Sequence, residues 1–136
     1  QKNMEQILTA NDNNVDAVLS ENDGMAGGVV AALSAQGLVI PVGGQDGDHA
    51  ALNRVARGQQ TVSVWKNALD LGGKAAEIAV ALAGGAALSD IDGAVSWSGG
   101  ANGVEMNAIF LDPTPVTQAN ISAVIDAGHI AKDSVM

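Results

Sequence analysis

No cysteine occurs among the 136 residues, which excludes disulfides, a thiolate nucleophile and cysteine-ligated zinc. Oxidising and reducing compartments are both compatible with that absence. Tyrosine is also missing, and two tryptophans and one phenylalanine make up the whole aromatic content of 2%. Hydrophobic residues nevertheless reach 47%, so Ala, Val, Ile and Leu must build the interior. Positive charge is scarce: six Lys and Arg stand against fifteen Asp and Glu, a formal net charge of −9. Nucleic acid and anionic membrane surfaces need clustered Lys and Arg, so both are disfavoured as partners. No apolar run approaches the roughly 18 residues of a membrane-spanning helix. The start, Gln1-Lys2-Asn3-Met4-Glu5, lacks the basic and apolar regions of a signal peptide. A helical pattern begins there at once, so the sequence reads as starting inside a longer chain.

What is present suits one α/β domain with a real core. Seventeen glycines and many alanines allow close helix–sheet packing, and the apolar fraction is too high for disorder. Met4, Ile7 and Leu8 fall at i, i+3 and i+4, predicting a first helix to about Ala10. An apolar run over 15–19 reads as a buried strand. The turn Ser20-Glu21-Asn22-Asp23-Gly24 follows, and Ala26, Val29, Val30 and Leu33 mark the buried stripe of a second helix ended by Gly37. A short strand is expected over 38–42, with Pro41 near a sheet edge or bulge because it lacks a ladder donor. Gly43-Gly44-Gln45-Asp46-Gly47-Asp48 then reads as a second strand-to-helix turn. Leu52, Val55 and Ala56 mark a helix ended by Gly58, and the β-branched run 61–65 is a third strand leading into Lys66. A helix over 69–83 is expected to carry Ala76, Ala79, Val80 and Ala83 on one face. Residues 86–103 read as loop, 104–111 as strand with Asp112-Pro113-Thr114-Pro115 stopping it, and Ile121, Val124 and Ile125 as a terminal helix.

Strands alternating with helices imply a parallel sheet. Parallel strands put all their carboxyl ends on one edge, where ligands bind in open α/β sheets. Asn22-Asp23, Gln45-Asp46 and Lys66 each follow a predicted strand and so should converge on that edge. Asn offers donors and an acceptor, a carboxylate only accepts and an ammonium only donates. That mixture matches a small polyhydroxylated ligand and suits a phosphate poorly. Each residue also has a plain structural role open to it. Asn22 or Asp23 is a natural N-cap, Asp46 a cap for a helix at His49, and Lys66 a solvated charge. Trp65 is either core or a flat apolar face for a sugar ring.

Other signals carry less. Gly72-Gly73-Lys74 lacks the first Gly and the final Ser or Thr of a phosphate loop. Asp46-Gly47-Asp48 lacks the later residues of a calcium loop. His49 and His129 have no partner at ligand spacing and read as surface histidines. No metal site or cofactor is expected.

Several motifs in unbroken order resemble the periplasmic xylose-binding proteins of sugar ABC transporters, within the type I periplasmic sugar-binding family. They are Met4-Glu5-Gln6-Ile7-Leu8-Thr9-Ala10-Asn11-Asp12-Asn13, Asn22-Asp23 with Ala26-Gly27-Gly28, Ala32-Leu33-Ser34-Ala35-Gln36-Gly37-Leu38, Gly44-Gln45-Asp46, Thr61-Val62-Ser63-Val64-Trp65-Lys66 and Leu111-Asp112-Pro113-Thr114-Pro115-Val116. The resemblance covers nearly the whole chain, more weakly over 86–103. It implies a Rossmann-like lobe of a two-lobed, hinge-closing protein in the periplasm, which binds a monosaccharide such as xylose and delivers it to a membrane permease. By position, Asn22, Asp46 and Lys66 resemble the family's sugar hydrogen-bonding residues. Asp23, Trp65 and Gln45 are secondary candidates.

A member of the family is about twice this length, so the resemblance implies a C-terminal half only. Residues 1–66 would then be the sugar-binding lobe, incomplete. Residues 67–110 would belong to the N-terminal lobe, and 111–136 would return as hinge and terminal helix. The helix over 69–83 would expose an apolar stripe, to be covered by the missing lobe or by self-association. The alternative is an effector-sensing lobe of a sugar-responsive transcription regulator or sensor, which a basic helix-turn-helix upstream would mark; none is present in this sequence. An α/β enzyme is a third reading, but no general base with an identifiable partner supports it.

Overall fold

The computed structural model describes residues 1–135. In chain order the elements are α1 (Lys2–Ala10), β1 (Val18–Leu19), α2 (Asp23–Ala35), β2 (Val42–Asp46), α3 (His49–Ala56), β3 (Val62–Trp65), α4 (Ala68–Ala83), β4 (Ala94–Trp97), β5 (Met106–Ile109), β6 (Thr114–Val116) and α5 (Ser122–Asp126). They form two compact units. One is Gln1–Lys66 together with the described residues from Pro113 on, and the other is Asn67–Asp112.

The first unit is the α/β fold expected from the alternation of strands and helices. Its sheet runs β1-β2-β3-β6. β1, β2 and β3 are parallel, with Val18 opposite Val42 and Asp46 opposite Trp65. β6 closes the far side antiparallel to β3, pairing Val64 with Pro115. As an edge strand, β6 tolerates a proline that has no ladder donor. Two apolar clusters hold the unit. Met4 and Leu8 of α1 pack with Ala26, Val30 and Leu33 of α2 and Val42 of β2. Leu52, Trp65, Val116, Val124, Ile130 and Val135 form the second cluster, which draws the chain's last segment into the core. Leu8 and Leu52 are essentially fully buried, and burial of such a side chain stabilises by about 1.5–3 kcal/mol.

Several local expectations are corrected here. The strand expected over 38–42 lies four residues later, at Val42–Asp46. The Leu38-Val39-Ile40 run suggested a strand and the two glycines a turn. In the fold those glycines lie inside the ladder, because α2 approaches β2 closely at Gly44. A Cβ there would meet the Asp23 carboxylate and the Gln60 amide. The run over 15–19 is not a buried strand: only Val18–Leu19 pair, at the sheet edge, and Leu19 is 88% exposed. Asp112–Pro115 does not simply stop a strand, since Thr114–Val116 is itself β6.

The second unit contains α4 and the antiparallel pair β4–β5, with Ala94 opposite Ile109 and Trp97 opposite Met106. Trp97 and Phe110 meet edge to face, 5.9 Å between ring centroids. The loop expected over 86–103 therefore contains a strand. Its Ala, Ser and Gly content hid it, because pairing with β5 rather than side-chain pattern defines it. The helix starts at Ala68 and contains no buried residue. Ala76, Ala79, Val80 and Ala83, expected on its packed face, are all exposed, and the half-buried face is Lys74, Ile78 and Ala81.

Candidate functional site at the carboxyl edge of the sheet

The site is built where β1, β2 and β3 end. Asn22 is the N-cap of α2, extended at φ −150° and ψ 169°. Its Oδ1 accepts a hydrogen bond from the Met25 N–H at 2.8 Å, so the capping role open to it in the sequence is realised. That bond also fixes the amide. Nδ2 is turned away from the cap and donates to nothing among the described residues.

Asp23, the next residue, is buried, with 1% of its surface exposed. Its Oδ2 accepts from the backbone N–H groups of Gly47 and Asp48, both at 3.0 Å, and from Ser63 Oγ at 2.6 Å. Its Oδ1 accepts from Gln60 Nε2 at 2.9 Å. Gln60 is oriented in turn by Arg54, whose Nε donates to Gln60 Oε1 at 3.0 Å. The Arg54 guanidinium also donates to the Asp23 carbonyl at 2.8 Å. A buried carboxylate is costly unless its lone pairs are satisfied and a countercharge is near, and here both conditions are met. The position at the start of α2 adds the favourable end of the helix dipole. The acceptor sites of Asp23, a secondary candidate from the sequence, are occupied within the protein, and it ties the turn after β1 to the turn after β2.

That second turn is strained. Asp46, the last residue of β2, has φ 113°. Positive φ is uncommon for a residue with a Cβ and costs on the order of 1–3 kcal/mol. Gly47 follows at φ 76°, lying on the Trp65 indole so closely that a Cβ would collide with the ring. Asp46 does not cap α3, whose N-cap is Asp48. Instead its Oδ1 meets Lys66 Nζ at 2.8 Å, with the two side chains 37% and 45% exposed. So exposed a pair adds about 0–1 kcal/mol to stability, and both groups keep open hydrogen-bonding positions. Gln45, one residue earlier, is half-buried in β2 beside Val64 of β3.

Trp65 is not an exposed platform. It is 6% exposed and packs in the second cluster, with the His129 ring 5.2 Å away. Its Nε1 is buried with no hydrogen-bond partner among the described residues. His129 is half-buried rather than a surface histidine, and its Nε2 lies 2.7 Å from the Gly47 carbonyl. Ser63, Gln60, Arg54 and His129 were missed in the sequence. Ser63 alone left a signal, as a polar residue between two valines in a strand, which needs a partner if buried.

Asn22, Asp46 and Lys66 thus stand at the ends of three neighbouring strands, each with an open hydrogen-bonding position. Together they offer an amide donor, a carboxylate acceptor and an ammonium donor. Among the described residues no group of three or more His, Asp or Glu is arranged to hold a metal ion. No described helix is long and apolar enough to cross a membrane.

A parallel α/β sheet with polar side chains gathered at its carboxyl edge is the architecture of a small-molecule-binding lobe. The chain belongs to the periplasmic binding protein domain family, whose model matches residues 1–87. It is 44% identical over 135 residues to a D-xylose-binding periplasmic protein of Haemophilus influenzae, which covers 97% of this chain and 39% of that protein. It is 51% identical over 86 residues to the D-xylose-binding periplasmic protein of Escherichia coli, covering 62% of this chain and 26% of that one. Among solved structures, a carbohydrate transporter solute-binding protein from Chloroflexus aurantiacus in complex with D-glucose superimposes with a TM-score of 0.81 at 27% identity, over 96% of this chain and 39% of that one. The chain therefore spans about two fifths of the length of the first curated relative it matches.

Proposed function

We propose that this chain is the C-terminal sugar-binding portion of a periplasmic solute-binding protein of an ABC transporter. Its ligand on this reading is a monosaccharide, D-xylose or a related pentose. It binds without transforming the sugar and delivers it to a membrane permease from the periplasm. Asn22, Asp46 and Lys66 are the sugar-contacting residues: Asp46 accepts from a hydroxyl, Lys66 donates to the neighbouring oxygen, and Asn22 Nδ2 donates to a third. The observation that carries the proposal is the Asp46–Lys66 pair, exposed at the end of β2 and β3 on a strained residue. Backbone strain of this kind, held in place by the surrounding structure, clusters at ligand-binding positions. The likeness to two proteins named for D-xylose supports the choice of sugar. On the same reading Asn67–Asp112 belongs to the other lobe, and its exposed Leu69 and Val80 are covered by that lobe or by a second copy.

The test is titration of the chain with D-xylose, D-ribose and D-glucose, followed by NMR. D-Xylose is expected to shift the Asn22, Asp46 and Lys66 resonances. Asp46→Asn and Lys66→Met should weaken it at least about tenfold while changing stability by less than about 1 kcal/mol. Sugar-induced shifts that spare these three residues would refute the assignment.

A further inference from the structure

Gly47 is gripped from both sides. Its N–H donates to Asp23 Oδ2 and to Ser63 Oγ, each at 3.0 Å, which fixes the peptide between Asp46 and Gly47. The next peptide is held at both ends: the Asp48 N–H donates to Asp23 Oδ2 at 3.0 Å, and the Gly47 carbonyl lies 2.7 Å from His129 Nε2. A carbonyl only accepts, so Nε2 must carry a proton. His129 is itself held, because His49 Nε2 reaches the His129 carbonyl at 2.9 Å. The imidazole also packs on Trp65, the residue paired with Asp46 across the sheet. All four contacts converge on the peptides that follow the one strained residue of this edge.

We propose that His129 is a positioning residue for Asp46: it clamps the Gly47 carbonyl opposite Asp23, so that Asp46 keeps its positive φ and its carboxylate is aimed beside Lys66. The proposal rests on the reading of Asp46 as a sugar ligand. It makes the chain's last segment part of the binding site, although His129 itself does not touch the sugar. Without His129 the peptide after Gly47 is held only through the Asp48 N–H, its carbonyl end is released, and Asp46 relaxes part of the way toward ordinary φ, shifting its carboxylate.

NMR on the chain tests this. In the unaltered chain, long-range nitrogen–proton correlations should show His129 as the Nε2–H tautomer, and the Nδ1–H tautomer would overturn the proposal. His129→Phe keeps a ring but loses the donor. It should shift the Asp46 and Gly47 backbone resonances before any sugar is added and weaken D-xylose about tenfold, the effect of one lost hydrogen bond. His129→Gln, which restores an N–H, should recover affinity to within about threefold. A role limited to packing would not be rescued in this way. Unchanged Asp46 and Gly47 resonances in His129→Phe, or unchanged D-xylose affinity, would overturn the proposal. If His129→Phe does not fold, the tautomer and the affinity of His129→Gln decide it. If D-xylose shifts resonances that spare Asn22, Asp46 and Lys66 while His129→Phe moves Asp46, the sugar reading fails and the clamp stands as structure alone.

Discussion

Asp23→Asn is the sharpest perturbation, because it changes no volume and removes only charge and one acceptor. The carboxylate accepts from four groups. If the new Nδ2 takes the place of Oδ2, it faces the Gly47 and Asp48 N–H groups and loses both. If it takes the place of Oδ1, it faces Gln60 Nε2. Gln60 cannot turn over in response, since its Oε1 already accepts from Arg54. The second arrangement is the cheaper. It loses one charge-assisted bond, worth about 1.5–3 kcal/mol, and weakens the three that remain. The expected destabilisation is about 3 kcal/mol. With an m value of about 1.5 kcal/mol/M, the urea midpoint should fall by about 2 M. The assay is tryptophan fluorescence in a Trp97→Phe background, so that Trp65 alone reports on the first unit. The m value should not change, as the unfolded surface is the same. A loss below about 1 kcal/mol would refute the view that this carboxylate is the buried tie between the two turns.

Two further predictions follow the same residues outward. Gly44→Ala places a Cβ against the Asp23 and Gln60 side chains and 3.2 Å from the Ala26 Cβ; it should cost about 2–3 kcal/mol in urea denaturation, and a neutral result would mean that α2 does not approach β2 as described. Asn22→Ser keeps a capping oxygen for the Met25 N–H but removes the free Nδ2 donor, so thermal stability should hold to within about 0.5 kcal/mol while D-xylose affinity falls about tenfold by calorimetry; equal affinity would assign Asn22 to the cap alone.

The alternation of strand and helix was legible because it is local. Stripes such as Ala26, Val30 and Leu33 report a buried helix face wherever the chain runs, and β-branched runs such as 61–65 report a strand. That alternation alone implied parallel strands and one polar edge, and so brought Asn22, Asp46 and Lys66 together before any coordinates. Elements defined by a partner were not legible. β4 and β6 are strands because β5 and β3 pair with them, and at four and three residues each is too short for its side-chain pattern to announce it. The strand at Val42–Asp46 was displaced in the reading because its glycines answer to Asp23 and Gln60, which lie far away in sequence.

The same division runs through the site. Residue chemistry was determined by the sequence itself: an amide, a carboxylate and an ammonium at three strand ends suit a polyhydroxylated ligand in any arrangement that gathers them. Which of the polar neighbours stays free was decided only by the tertiary fold. Asn22 and Asp23 are adjacent and both are good caps, yet one keeps an open donor while the other is buried under four bonds. Asp46 carries the strain because Gly47 is held from Asp23 on one side and His129 on the other. Burial and hydrogen-bond satisfaction are set by what packs from elsewhere in the chain, and no local pattern encodes them.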